Sequence, residues 1–281
     1  MKHILIILSL FLFSFTVISC SSSSDGGSST TSDNTTTSDD NTTTTDNTTT
    51  TDNDTTTTSS SSSSGVFVAA GLSGNIVRSN DNGASWDNAT SPTGNDFRGV
   101  GFGNNTFVAV GNNGNIVRST DNGSSWDNAT SPTTTNLSKV TFGNNTFLGV
   151  GVSGNIVRST DNGSSFDNAT NSNASMLLGV TFGNNTFVGV GYSGNIVRST
   201  DNGSSWDNAT SPTDTHLYGV TFGNNTFVAV GLSGNIVRSS DNGSSFDNAT
   251  NSNTTSLLRV TFGNNTFVAV GLLGNIVRST D

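Results

Sequence analysis

The sequence predicts an all-β protein, a β-propeller of four-stranded antiparallel blades set behind an export leader and a long polar tract. Three observations predict it. The hexapeptide Gly-Asn-Ile-Val-Arg-Ser recurs every 40 residues, starting at Gly74, Gly114, Gly154, Gly194, Gly234 and Gly274, a period that falls among propeller blades. Each repeat divides into short runs of β-branched and aromatic residues separated by Gly, Asn and Asp, the pattern of strands and tight turns. Composition disfavours helices: the 281 residues contain no Glu or Gln, only 11% are charged, and Gly (32 copies), Ser, Thr and Asn are abundant.

Residues 1–20 carry a basic start and an apolar run from Ile4 to Phe15, the length of a signal-peptide core and short of the roughly 20 residues that span a bilayer. The run ends on Val17-Ile18-Ser19-Cys20, which resembles the lipobox of bacterial lipoproteins. That resemblance implies lipidation of Cys20, with Ser21 in place of Asp directing the protein to the outer membrane or cell surface. Cys20 is the sole cysteine, so an intramolecular disulfide is excluded. Residues 21–64 contain only Ser, Thr, Asp, Asn and Gly, with 31 of 44 being Ser or Thr. Without apolar side chains such a segment cannot offset the entropy of ordering its backbone. It reads as a disordered tether, about 35–40 Å across as a coil, or alternatively as an O-glycosylated stalk.

Residues 65–281 are the repeat domain. In the copy from Leu137 to Thr170, strand A (Leu-Ser-Lys-Val-Thr-Phe) turns through Gly143-Asn144-Asn145 into strand B (Thr-Phe-Leu-Gly-Val-Gly). Val152-Ser153-Gly154 leads to strand C (Asn-Ile-Val-Arg-Ser), and Thr160-Asp161-Asn162-Gly163 leads to strand D. Four strands cannot bury both faces alone, but sheets stacked around an axis bury them mutually. A four-residue C–D turn sets Arg78, Arg118, Arg158, Arg198 and Arg238 opposite Asp87, Asp127, Asp167, Asp207 and Asp247, predicting cross-strand ion pairs. The first unit lacks strand A and the last lacks strand D, which predicts six blades with an incomplete seam; five closed blades are the alternative. Trp126 and Trp206 lead into Ser-Pro-Thr whereas Phe166 and Phe246 lead into Asn-Ser-Asn, the trace of a duplicated two-blade unit.

The segment from Ser119 to Trp126, Ser-Thr-Asp-Asn-Gly-Ser-Ser-Trp, resembles the Asp-box of BNR-repeat propellers. Copies recur at Ser79–Trp86 and Ser199–Trp206, and with Phe at Ser159–Phe166 and Ser239–Phe246. The phrasing around these boxes is most similar to propellers of the photosystem II stability/assembly factor type. Asp81, Asp121, Asp161, Asp201 and Asp241, with Trp86, Trp126, Phe166, Trp206 and Phe246, are expected to be structural, each short carboxylate accepting N–H bonds within its own turn. A calcium loop of the EF type would need a closing Glu, so no metal and no cofactor are expected.

The copies differ mainly in the D–A loops and the B–C turns, which share one face of a propeller. Arg98, Lys139, Tyr192, His216, Tyr218 and Arg259 are the polar or aromatic exceptions there, and form the candidate binding set. The expected function is a lipid-anchored surface module that binds an extracellular or periplasmic protein or a glycan as a monomer. The family resemblance implies an alternative, an assembly factor for a membrane complex. A sialidase-like glycosidase is disfavoured, because the chemistry wants a carboxylate pair or a Tyr/Glu nucleophile system and there is no Glu; no catalytic residue is assigned. The formal charge of −10 argues against nucleic acid as a partner.

Overall fold

The computed structural model describes residues 65–281 apart from 172–174, 252, 280 and 281, together with the backbone of Ser19–Ser23. The leader before Ser19, the polar tract beyond Ser23 and the side chain of Cys20 lie outside the described residues.

Local chemistry builds each blade. In blade 3, strands Leu137–Gly143, Thr146–Gly151, Ile156–Ser159 and Asp167–Asn168 pair antiparallel in the order A-B-C-D. Asn144 and Asn145 both take positive φ (48° and 58°), the geometry whose twist matches a two-residue hairpin and which Asn tolerates best after Gly. The B–C connection is a short 3-10 turn, Val152–Gly154. Six sheets result, four of four strands, one of five and one of three, and the all-β, six-bladed propeller expected from the repeat is the architecture observed.

Adjacent sheets hold one another. Each of five apolar clusters takes one face of a blade and the facing side of the next. Between blades 3 and 4, Leu148, Val150 and Ile156 meet Leu177, Val180, Phe187, Val197 and Trp206. Full burial of such side chains contributes about 1.5–3 kcal/mol each, so the blades stabilise each other and not themselves. The fit is close: a Cβ at Gly143 would lie 2.1 Å from the Phe182 ring of the next blade.

Three features differ from the sequence reading. Blade 1 has its strand A: Ser19–Ser23 pairs with Val66–Ala70, Ser19 opposite Ala70 and Ser23 opposite Val66. The domain boundary drawn after Cys20 therefore cuts a strand, and Ser21–Ser23 belong to the first sheet. An open sheet edge offers unpaired N–H and C=O groups that any backbone can satisfy, which is why an apolar pattern could not reveal this strand. Second, Arg118 does stand opposite Asp127, and the other four pairs hold the same register, yet the expected ion pairs do not form. Arg78 Nε donates instead to the carbonyl of Asn122 in the next blade (3.2 Å), and the Nε atoms of Arg118, Arg158 and Arg198 are buried without a hydrogen-bond partner. Third, the chain leaving strand D stitches onto the next blade: Thr170–Asn171 runs parallel to Ser205–Asn208, and the bridges Thr90–Ser125, Thr130–Ser165 and Thr210–Ser245 repeat the contact.

Candidate binding face

The variable face is assembled from B–C turns that each sit between two D–A loops, the one that enters the turn's own blade and the one that leaves it. The amide of Asn112 donates to Asp96 O, and those of Val152, Tyr192 and Leu232 donate to Asn136, Met176 and His216. Turn and loop sit so close that a Cβ at Gly194 would fall 1.8 Å from Thr213 O; with φ of +67° as well, only glycine fits. The next residue of each turn is capped by the loop that leaves the blade. Asp96 Oδ1, Asn136 Oδ1, His216 Nδ1 and Ser256 Oγ accept from the amides of Ser73, Asn113, Ser193 and Ser233 at 2.8–3.2 Å.

His216 therefore has a defined tautomer in this arrangement. Its Nδ1 accepts, so its proton resides on Nε2. The ring stacks on Tyr192 (centroids 4.2 Å apart, 11° between planes), and Tyr218 stands edge-on to it at 6.4 Å. Burial, then the neighbouring Tyr192, raises the Tyr218 phenol above its ordinary value. From the next blade Arg259 reaches the same spot, its Nη1 donating to the carbonyls of Leu258 (2.6 Å) and Tyr218 (3.5 Å). Its Nε is buried with no hydrogen-bond partner, and burial lowers its pKa.

Lys139 belongs to the same electrostatic unit. The A strands of neighbouring blades contact one another, so they surround the axis. A Cβ at Gly99 would lie 3.0 Å from Lys139 Cα, and one at Gly219 lies 3.3 Å from Arg259 Cα. Along this inner ring the sequence reads Gly99, Lys139, Gly179, Gly219, Arg259, three glycines and two long cations. Burial, and then the charge of Arg259, lowers the Lys139 ammonium to about 8. Five of the six expected residues are thus joined by contact or field. Arg98 stands apart: its Nε donates to Asn112 Oδ1 (2.6 Å), whose Nδ2 donates to Asp96 Oδ2 (3.1 Å), a local network on blade 2.

Sequence reasoning did not find two shallow hollows on this face, of about 370 and 220 Å³. Thr133, Thr135, Asn155 and Asn171 line one, and Thr215, Asn235 and Asn251 the other. The repeated Asn carries the signal: Asn155 Nδ2 donates to Thr133 and Thr135 Oγ1 (2.8 and 2.9 Å), and Asn235 does the same to Thr213 and Thr215 (2.7 and 3.0 Å). Both hollows combine these neutral amides and hydroxyls with apolar wall from Val152 and Ile156 in one and Leu232 and Ile236 in the other, and the side chains lining them are uncharged.

The opposite face carries the Asp turns. Asp121 Oδ1 accepts from Ser119 Oγ (2.7 Å) and the Ser125 amide (3.0 Å), and Oδ2 accepts from Ser125 Oγ (2.6 Å). Trp126 Nε1 donates to Gly123 O at 3.1 Å. Burial alone would raise the Asp121 carboxyl, but the Ser125 and Ser119 donors outweigh it and hold the group at about 2. Asp161, Asp201 and Asp241 are held at about 2 in the same way, and hydrogen bonds from Ser79 and Ser85 keep Asp81 below the usual carboxylate range.

Comparison with known proteins is consistent with this geometry. Residues 1–91, about a third of the chain, match the New glue protein family. No curated protein matches the chain. Among solved structures, YCF48 bound to D1 peptide is similar at 18% identity with a TM-score of 0.62, covering 77% of this chain and 74% of that one. The computationally designed Ika8 protein is similar at 12% identity and TM-score 0.62 (76% and 67% covered). YCF48 from Cyanidioschyzon merolae is similar at 16% identity and TM-score 0.59 (77% and 78%). At such identities the likeness shows the propeller fold.

Proposed function

We propose that this chain is an exported, lipid-anchored surface propeller that binds a protein or glycan through its variable face. The carrying observation is the convergence of Tyr192, His216 and Tyr218 with two partly desolvated cations, Arg259 and Lys139, on the one face where the copies differ. Stacked rings offer sugar or peptide faces a rigid apolar platform at low entropic cost, and buried cations attract a carboxylate more strongly than exposed ones. A polypeptide is the favoured ligand, since a similarly folded protein is known with a bound peptide. That same likeness supports the narrower reading of an assembly factor for a membrane complex.

Full-length protein recovered from membranes and applied to a glycan array and to a panel of surface-protein fragments tests the reading. Binding that is lost in Tyr192→Ala and Arg259→Met, and kept in Ser125→Ala on the opposite face, supports it. Hydrolysis of a glycoside panel with no binding in either screen would overturn it. The anchor is checked separately: intact-mass spectrometry should show acyl chains on Cys20, absent in Cys20→Ser.

A further inference from the structure

Among the described residues, blades 1 and 6 each leave one sheet face uncovered, and the two faces differ. At the exit of blade 6, Val270 is 43% and Ile276 69% exposed, where their counterparts Val110 and Ile116 in blade 2 are 0% and 1%. At the entrance of blade 1, Trp86 is 43% exposed, against 5% for Trp126 and 4% for Trp206. Backbone space agrees. A Cβ at Gly123, Gly163, Gly203 or Gly243 would strike a Val or Leu of the preceding blade at 2.4–2.8 Å, whereas nothing lies within 4 Å of one at Gly83. Likewise Gly143, Gly183 and Gly223 each face a Phe of the following blade, and Gly263 faces nothing within 4 Å.

These two faces are the separated halves of an interface that the chain builds five times within itself. Val268, Val270 and Ile276 repeat the exit set Val68, Ala70 and Ile76; Phe67, Val77 and Trp86 repeat the entrance set Phe107, Val117 and Trp126. The polar contact repeats as well. Asn162, Asn202 and Asn242 each donate Nδ2 to Thr106, Thr146 and Thr186 of the preceding blade at 2.6 Å, and the seam holds the unmatched halves Thr266 and Asn82.

We infer that the exit face of blade 6 docks the entrance face of blade 1 of a second copy of this chain. Val268 would cover Gly83, Val270 and Ile276 would bury Trp86, and Asn82 would bond Thr266. The contact is heterologous, one face against a different one, so it propagates into a head-to-tail row or closes into a ring. This departs from the monomer expected from sequence, because the repeat pattern shows what each blade needs and not whether its last neighbour is present. A row of propellers would display many copies of the variable face, gaining avidity for repetitive ligands. The inference stands independently of the ligand proposed above.

Mass photometry and sedimentation velocity on the detergent-solubilised full chain test it, with two blocked variants: Val270→Asp/Ile276→Asp at the exit and Trp86→Asp at the entrance. Wild type should gain mass in whole-chain steps as concentration rises. Each variant alone, with wild-type circular dichroism, should weaken association about a hundredfold or more, because a buried unpaired carboxylate opposes docking. Mixed together, the two variants should form a 1:1 dimer and nothing larger, each contributing its intact face. A wild type that stays monomeric, folded variants that assemble alone, or a mixture that fails to dimerise would each overturn the inference.

Discussion

The boundary between blades 3 and 4 and the seam between blades 6 and 1 are made of the same residue types, yet only the first is a closed core. Leu148, Val150 and Phe187 are buried at the former, while Val270, Ile276 and Trp86 are exposed at the latter. A propeller blade has no core of its own, so identical sequence is stabilising or idle depending on whether a neighbour is present. Repeat proteins behave as a sum of nearest-neighbour terms for this reason.

Substitutions at matched positions sharpen that contrast. The largest effect is expected from Phe187→Ala, which removes a ring buried between blades and should cost about 3–5 kcal/mol in chemical denaturation; Val270→Ala should change the stability of the isolated chain by less than about 0.5 kcal/mol. Next comes Gly143→Ala, whose new methyl would meet the Phe182 ring and should cost about 1–3 kcal/mol by overpacking. Gly263→Ala, with empty space around it, should leave the melting temperature unchanged. If both glycine variants melt alike, the packing described at the interior boundary is wrong.

Acid acts on the interior through the Asp turns. Asp121, Asp161, Asp201 and Asp241 have folded values near 2 against an ordinary 3.8. Their contribution is therefore complete above about pH 4 and is lost as pH falls towards 2, so the thermal midpoint should drop across that window, and less steeply in Asp161→Asn. Lys139 works in the opposite sense. Its folded value near 8 lies below the ordinary 10.5, so charged Lys139 opposes folding below pH 8 and stability should rise between pH 8 and 10.5. Lys139→Met should flatten that rise and weaken binding of an acidic ligand, which separates the variable face from the structural one.

A smaller gain is expected in the last B–C turn. Leu273 holds φ of 56°, where the other copies place Ser or Asn, and its side chain is almost wholly exposed. Leu273→Asn should raise local stability by roughly 0.5–1 kcal/mol by relieving left-handed strain, visible as slower amide exchange in blade 6 alone.

Much of the fold was legible because its determinants lie within a few residues of one another. The Asn-Asn hairpins, the Asp turns and the opposition of Arg118 to Asp127 all follow from local spacing. The failure of the Arg–Asp pairs was not legible, since Arg78 is drawn to a carbonyl of the following blade, and the parallel stitch at Thr170 likewise depends on an adjacent sheet. Of the binding set, residue identities were readable from variation between copies. Their convergence was not: His216 meets Tyr192 only because the D–A loop crosses back over the preceding turn.

By itself the sequence determined the period, the four-strand unit, the turn geometry and which side chains are apolar, because alternation and turn chemistry act over short stretches of chain. Tertiary structure alone decided that Ser19–Ser23 completes the first sheet, that Lys139 and Arg259 share one axial space, and that two complementary faces remain open at the seam. Those outcomes depend on backbone pairing, long-range charge and the presence or absence of a neighbouring blade, and none of these leaves a mark in the order of residues within a repeat.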